Sequence, residues 1–307
     1  MIYDVIVLGG GPAGCTAALY CARAGRKTAV VEQMMPGGQM CQTAQIDNYP
    51  GFPDGIDGIA LGAAMQQQAE RFGAEMLFSS VTAVKLTDSP KQILTDGGTY
   101  LARAVILATG AEHRHLGVTG EDAFLGRGVG YCAACDGMLY RGKRVCVIGG
   151  GDSAVGDALL LSELCEHVTV IHRRTQFRAS RVLSEALAAK RNVDVWWEST
   201  VNGIVGDKRV QAVSVQTPMG ERMLQTDGVF ISIGRDPVSA LFAEQVCLDE
   251  SGYILAGEST ETSVQGVFAA GDIRTKAVRQ VVTAAADGAV AAYAADRYLT
   301  AQTQEGR

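Results

Sequence analysis

The residues best suited to chemistry in this chain are two cysteines two residues apart, Cys132 and Cys135, followed at once by a carboxylate, Asp136. A CxxC pair can close a small disulfide ring, and such pairs often hold one thiol at a depressed pKa. A carboxyl beside the pair can pass a proton to or from a leaving thiolate. The same spacing serves as half of a zinc site, but no second CxxC and no His pair at ligand spacing supplies the remaining ligands, so no metal is expected. Redox chemistry is the better reading, and the flanks strengthen it, because a glycine-rich nucleotide fingerprint lies on either side.

The first fingerprint is Gly9-Gly10-Gly11-Pro12-Ala13-Gly14. It follows an apolar run, Ile2 to Leu8, that suits a buried parallel strand, and it opens an Ala-rich helix that stops near Gly25. Lys27 to Val31 reads as the next strand and ends in Glu32. Gly9 permits the tight turn, Gly11 lets backbone approach a pyrophosphate, and Gly14 lets helix pack on strand. The N-terminus of the helix that opens at Pro12-Ala13 offers its free N–H groups, from Ala13 onward, to the anion. Glu32 stands where a carboxylate accepts hydrogen bonds from ribose hydroxyls.

A second unit repeats the first. Val145 to Ile148 reads as a strand, Gly149-Gly150-Gly151-Asp152-Ser153-Ala154 as the turn, a helix runs to about Leu164, and Val168 to Ile171 is the following strand. From the first glycine to the residue after that strand the count is 32 − 9 = 23 in one unit and 172 − 149 = 23 in the other. The strand ends differ in chemistry. One ends in Glu32, the other in His172-Arg173-Arg174, with Arg178 and Arg181 following. A carboxylate repels a 2′-phosphate, whereas two arginines grip it by charge-assisted, bidentate bonds. The first site therefore reads as one for FAD and the second as one for NADPH, in preference to a solvated basic turn.

The elements that must position these groups can be read around them. Residues 36–40, with Gly38 and Gln39, and residues 46–53, with Asn48, are rich in turn formers and read as loops over a ligand. Residues 59–72 are expected as a helix, 76–84 and 91–95 as strands, and 105–108 as a buried strand closing in Thr109-Gly110. Further on, 193–197 alternates like a strand, with Trp196 and Trp197 as packing residues. Residues 208–217 and 222–226 suggest a hairpin, and 228–233 a strand that ends in Gly234-Arg235. A last strand from Gly266 runs into Gly271-Asp272, whose carboxylate suits a flavin's ribityl hydroxyls. An Ala-rich helix from about Gln280 to Leu299 follows, directly after Arg279.

A length of 307 residues suggests two domains. Hydrophobic residues at 47% and charged residues at 20% fit a globular protein with a full core. A formal charge of −6 argues against a nucleic-acid or anionic-membrane surface. Eight cysteines are too few for a disulfide-stapled scaffold. Cys15, Cys21, Cys146, Cys165 and Cys247 are expected as small buried apolar groups. Cys41 follows the 37–40 loop and is placed near the flavin without a redox role, and His113, His115 and His167 make no ligand set or triad. No leader segment follows Met1, and no uncharged run reaches the ~18 residues of a membrane span, so a cytoplasmic location is expected.

Taken together, the stretches GGGPAG, GGQM, DNYPGFP, ATGA, GRGVGYCAACDG, GGGDSAV, HRRTQFRAS and GVFAAGDI…RQVVTAA resemble, in this order, the low-molecular-weight thioredoxin reductase family. The resemblance covers essentially the whole chain. It implies an α/β fold of two Rossmann-like, three-layer nucleotide-binding domains. The FAD domain would be discontinuous, 1–113 and 241–307, with an NADPH domain carrying the CxxC inserted at 114–240. It further implies a homodimer, and thioredoxin as the disulfide substrate. Cys132 would attack thioredoxin, Cys135 would face the flavin and Asp136 would be the acid–base. Glu32, Gln39, Asn48, Asp272 and Gln280 would bind FAD, with Gly38, Thr109, Gly110, Gly271 and Arg279 among the residues around it. Arg173, Arg174 and Arg178 would bind the 2′-phosphate, with His172, Gly234 and Arg235 also on the NADPH side. Thr175-Gln176 departs from the family, where an acidic residue often follows the arginine pair. A ferredoxin-dependent relative is the nearest rival, and the arginine cluster argues against it. A dithiol oxidase and a non-enzymatic flavin-binding module are the others. Because the flavin must meet both the disulfide and the nicotinamide, the two domains are expected to rotate about the crossings near 113–117 and 236–241.

Overall fold

The computed structural model describes residues 2–42 and 45–305. The chain divides into two compact units, Met1–Glu112 with Asp236–Arg307, and His113–Arg235. The second division falls five residues before the expected one, 240 − 235 = 5. The reason is local bonding. Val238 N–H donates to Gly110 O at 3.0 Å, Thr109 Oγ1 to Val238 O at 2.8 Å and Ser239 Oγ to Gly252 O at 2.7 Å, so residues 236–240 belong to the first unit.

The first unit begins with β1 (Ile2–Leu8), α1 (Pro12–Arg23) and β2 (Thr28–Glu32). Strand β1 is interrupted only by the half-buried Asp4, and its second half, Val5 to Leu8, is a continuous apolar run because both its faces are covered. Val5 and Val7 pack with Ala17 and Ala18 of α1, while Ile6 and Leu8 pack with Val84, Ile93 and Phe242. Helix α2 (Gly58–Arg71) starts at Asp57, whose carboxylate accepts the Ala60 N–H at 2.8 Å. The expected single strand over 76–84 is two strands, β3 (Glu75–Phe78), parallel to β2, and β4 (Val81–Lys85). Asp96 splits them, accepting both the Ser79 hydroxyl and the Ser80 N–H. β5 (Lys91–Thr95) and β6 (Gly98–Leu107) complete an antiparallel meander. β6 starts well before its expected first residue, since its first half pairs with β5 and has no continuous apolar run.

Short strand β7 (Ala111–His113) leads into the second unit, where β8 (Val129–Gly130) is followed by the one-turn helix α3 (Ala133–Asp136). Then come β9 (Arg144–Gly149), α4 (Asp152–Leu164), β10 (His167–Ile171), α5 (Arg181–Ala188) and β11 (Val193–Trp196). An antiparallel sheet, β12 (Thr200–Gly206), β13 (Val210–Thr217) and β14 (Gly220–Gln225), precedes β15 (Gly228–Ser232). The parallel sheet has the order β11-β10-β9-β15-β8. Val145 and Val147 face α4, while Cys146 and Ile148 face Val201, Ile204, Val213 and Val215 of the antiparallel sheet. The unit is thus layered as helices, parallel sheet and antiparallel sheet. The two βαβ units share a register: Val5 lies opposite Thr28 (28 − 5 = 23) and Val145 opposite Val168 (168 − 145 = 23).

The chain leaves through β16 (Arg235–Pro237), which pairs with β7. It rejoins the first sheet as β17 (Val267–Ala269), parallel to the last third of β6, and ends in α6 (Val281–Glu305). Among the described residues no helix is long and apolar enough to cross a membrane.

One buried ion cluster ties this return together. Asp287 of α6 accepts the Gly271 N–H at 2.9 Å, Arg274 Nε and Nη2 at 2.9 and 2.7 Å, and Lys276 Nζ at 2.8 Å. Burial pushes the Asp287 carboxyl up, but the hydrogen bonds from Arg274 and Lys276 outweigh it and hold the carboxyl below its usual value. Asp287→Ala strands two buried cations and is expected to cost about 3–5 kcal/mol, read from denaturant unfolding. Because the folded pKa is depressed, the cluster's contribution is present above the unfolded carboxylate pKa and fades as pH falls through the lower folded value. The gap in stability between parent and variant should therefore close in acid; a gap independent of pH down to acid unfolding would refute the assignment.

Candidate active site

Cys132 and Cys135 are joined as a disulfide with their Cα atoms 5.3 Å apart. Both cysteines are half-buried; Cys132 precedes α3 and Cys135 lies within it, and the Cys135 and Asp136 N–H groups donate to Cys132 O at 3.2 and 3.1 Å. Strand β8, on the edge of the parallel sheet beside β15, delivers the chain to this turn. Asp136 folds back over β8: a Cβ on Gly130 would stand 3.0 Å from Asp136 Oδ2. Tyr131, directly before Cys132, donates from its hydroxyl to Glu121 Oε1 at 2.7 Å. Glu121 is 2% exposed and also accepts the Leu116 and Gly117 N–H groups at 3.0 and 2.8 Å. Burial pushes this carboxyl up, yet the donors around it hold it below the usual range. Burial and Glu121 together push the Tyr131 phenol up. His113 stacks on the Tyr131 ring at 4.7 Å, and burial, then Arg235, depresses its pKa to about 3. Glu121 carries no motif, so only the three-dimensional contacts reveal this clasp on the redox turn.

The first fingerprint lies within the first unit. Gly9 has φ +101°, and a Cβ on Gly14 would stand 1.8 Å from Gly9 O, so strand and helix meet without room for a side chain. Glu32, at the end of β2, accepts the Gly10 N–H at 2.6 Å and the Gln33 N–H at 2.7 Å. The 37–40 loop folds onto the same turn, with Gly37 N–H donating to Gly10 O at 2.8 Å and Gly38 beside Gly11. Gln39 Nε2 donates to Ala111 O, and Asn48 Nδ2 to Gln280 Oε1 at 3.0 Å. Residues Asp47 to Pro53 line a cavity of about 530 Å³. Gly271 and Asp272 form the turn clamped by Asp287. Arg279 lies over the Tyr253 ring at 4.2 Å, and its Nε is buried with no hydrogen-bond partner among the described residues. An orphaned buried donor in this unit fits an anionic or carbonyl-bearing cofactor. Glu32, Gln39, Asn48, Thr109, Gly110, Asp272, Arg279 and Gln280 are thus all in one unit with Pro12 and Ala13 at the start of α1.

The second fingerprint lies within the other unit and repeats this geometry with different chemistry. A Cβ on Gly150 would stand 2.2 Å from the His172 ring, where the matching position on Gly10 meets Glu32. His172 is 5% exposed, its Nε2 meets Gln176 O at 3.1 Å, and its ring neighbours Phe177 and Trp197. Burial, and then Arg178, Arg174 and Arg173, hold its pKa below the usual imidazole value even though Gln176 O favours the charged ring. Arg173, Arg174 and Arg178, with Thr175, Gln176, Phe177 and Glu198, line a cavity of about 340 Å³. None of the three guanidinium groups has an ion pair or hydrogen bond among the described residues. Asp152 accepts the Ser180 N–H at 2.7 Å and Arg178 N–H donates to Gly150 O at 2.7 Å, so the start of α4 holds the arginine loop in place. Ser153 is exposed, Ala154 is buried, and Gly151 has open space where a side chain would be. Gly234 O accepts the Arg114 N–H at 3.1 Å, and Arg235 begins β16 beside it. Trp197, expected as a packing residue, has its ring centroid 4.6 Å from that of Phe177, and Glu198, which lines the cavity, bears no sequence motif.

Among the described residues no three His, Cys, Asp or Glu side chains converge as a metal site. Of the six free cysteines, Cys15, Cys21, Cys146 and Cys165 are buried and Cys41 half-buried, but Cys247, expected in the core, is exposed. It lies in an irregular stretch where its N–H donates to Ser263 Oγ at 2.9 Å.

The chain matches the pyridine nucleotide-disulphide oxidoreductase family over residues 3–288. A thioredoxin reductase of Listeria innocua is 44% identical over 301 residues, 97% of this chain and 94% of the relative. One of Treponema pallidum is 44% identical over 97% of both chains. The crystal structure of thioredoxin reductase from Streptococcus pyogenes superimposes with a TM-score of 0.93 at 41% identity, covering 98% of this chain and 99% of the other.

Thiol accessibility gives a direct test of this arrangement. With the disulfide intact, an aromatic disulfide reagent should label Cys247 rapidly and Cys41 slowly, since burial raises the Cys41 pKa. Cys15, Cys21 and Cys146, whose thiols burial pushes to about 12, should react only after unfolding. Rapid labelling of two or more thiols in the native oxidised protein would contradict it.

Proposed function

We propose, because the chain belongs to the thioredoxin reductases of the pyridine nucleotide-disulphide oxidoreductase family, that it carries reducing equivalents from NADPH to the disulfide of a thioredoxin. The observation that carries this reading is a formed Cys132–Cys135 disulfide in the same unit as a cavity lined by Arg173, Arg174 and Arg178, whose guanidinium groups pair with no carboxylate among the described residues. FAD, when bound, supplies the two-electron relay between dinucleotide and disulfide.

The residues divide the work. On the first unit, Glu32 offers ribose hydroxyls the carboxylate lone pair left by the Gly10, Gln33 and Met34 N–H groups, and Arg279 Nε gains an acceptor on the cofactor. Gly9 and Gly14 let strand, turn and helix close up, Gly11 admits the pyrophosphate, and Gln39, Asn48, Asp272 and Gln280 hold the flavin end. On the second unit, Gly149 and Gly151 admit the dinucleotide and Arg173, Arg174 and Arg178 hold its 2′-phosphate. That cluster favours NADPH over ferredoxin as the electron source. A neutral His172 adds no charge to it. The reduced pair then exchanges with substrate: the Cys132 thiolate attacks the thioredoxin disulfide, one thioredoxin sulfur leaves as thiolate, and Cys135 attacks Cys132 to release the other. Asp136 supplies and takes up the protons that accompany these steps. The balance is NADPH, a proton and thioredoxin disulfide going to NADP⁺ and thioredoxin dithiol. A homodimer and a cytoplasmic location complete the reading.

Cys132→Ser and Cys135→Ser should each abolish NADPH-dependent thioredoxin reduction while FAD stays bound, measured by turnover and by flavin absorbance. Asp136→Asn should slow thiol exchange more than flavin reduction in stopped flow. Substantial turnover in either serine variant would overturn the electron path.

Arg174→Ala removes a charge-assisted contact worth about 1.5–3 kcal/mol and should narrow the NADPH-over-NADH preference about tenfold or more, read as kcat/KM. Equal kcat/KM for the two dinucleotides in the parent enzyme would refute the phosphate assignment.

A further inference from the structure

The arginine cavity contains one residue of the wrong sign for a phosphate. Glu198 lines it together with Arg173, Arg174 and Arg178. Its place is set by backbone, not by chance of a flexible side chain. His172 N–H donates to Trp196 O at 2.9 Å, Ser199 N–H to His172 O at 3.0 Å and Glu198 N–H to Arg174 O at 3.2 Å. These bonds pin the turn between β11 and β12 to the arginine loop. Glu198 has φ +51°, and Thr260 is the other described non-glycine residue with positive φ. A left-handed backbone is disfavoured for a side chain of this kind. The turn nevertheless holds a carboxylate there. No ion pair or hydrogen bond from that carboxylate to the arginines is present among the described residues.

We infer that Glu198 is a specificity-determining residue that moderates the preference for the phosphorylated dinucleotide; the inference rests on reading this cavity as the 2′-phosphate site. Three guanidinium groups and one carboxylate leave a net charge of 3 − 1 = +2 around the cavity. A bound phosphomonoester brings about −1.5 to −2. The carboxylate opposes that charge, whereas toward an unphosphorylated ribose it is an acceptor for the 2′-hydroxyl. It therefore lowers affinity for one dinucleotide without lowering it for the other. Glu198 is exposed, so solvent screens the effect and keeps it moderate.

The test titrates the full-length, FAD-loaded protein with 2′,5′-ADP and with 5′-ADP by calorimetry, at low and high ionic strength. Glu198→Gln should tighten 2′,5′-ADP about three- to tenfold at low ionic strength and steepen its salt dependence. For 5′-ADP the same variant should leave affinity unchanged or weaken it. A purely structural role would not steepen the salt dependence. Glu198→Asn, which suits a left-handed backbone better, should act in the same direction and guards against a folding defect in the first variant. If neither variant tightens 2′,5′-ADP while Arg174→Ala weakens it, the inference about Glu198 is wrong and the phosphate site stands. If Arg174→Ala leaves 2′,5′-ADP binding unchanged, the phosphate site itself is wrong and the inference falls with it.

Discussion

The first unit is assembled from two stretches of chain separated by an entire second unit, and a single carboxylate closes it. Asp287 neutralises Arg274 and Lys276 in a buried setting and at the same time accepts the Gly271 N–H. Those contacts join α6 to the turn after β17, and β17 in turn extends the sheet begun by β1 and β6. The turn so held is the one that presents Asp272. A buried charge cluster of this kind contributes little if replaced whole, but it is unforgiving of partial loss.

Two βαβ units with one register carry different chemistry at the same backbone position. The residue at the end of the second strand lies over the second glycine of the fingerprint in both units. In the first it is Glu32, bonded to the Gly10 N–H; in the second it is His172, nearly buried and held neutral by its surroundings. The charged side chains of the second unit thereby lie further out, on the residues just after the strand. There Arg173, Arg174 and Arg178 line a cavity, and the turn carrying Glu198 is bonded through its backbone to the arginine loop.

The redox turn draws on a third kind of support. A one-turn helix has little stability of its own, and this one is bracketed by firmer structure. Strand β8 precedes it in the parallel sheet, and the buried Glu121 holds Tyr131 and the backbone of Leu116 and Gly117 together. The disulfide is therefore carried on an edge of the sheet while its foundations are buried. That combination suits a group that must be reached by a protein-sized partner and yet keep its geometry between turnovers.

Much of this was legible in the sequence because it rests on local rules. Apolar runs of strand length, glycines where helix and strand must touch, and an acid or arginines at a fixed offset are properties of contiguous residues. They gave both βαβ units, their common register and the CxxC turn. The split between β3 and β4, the early start of β6 and the exposure of Cys247 were not legible. Each depends on residues apart in sequence: Asp96 for the first, β5 for the second, and Ser263, whose hydroxyl holds the Cys247 backbone in an irregular stretch, for the third. The same holds for the supporting polar residues. Asp287, Glu121 and Glu198 carry no motif, and nothing in their neighbours along the chain distinguishes them from surface acids. A carboxylate acquires its role from the donors and charges that folding gathers round it. The sequence alone determined which nucleotide chemistry each strand end can support and where the redox pair lies; only the tertiary structure decided which acids are buried beneath them and which one shares the arginine cavity.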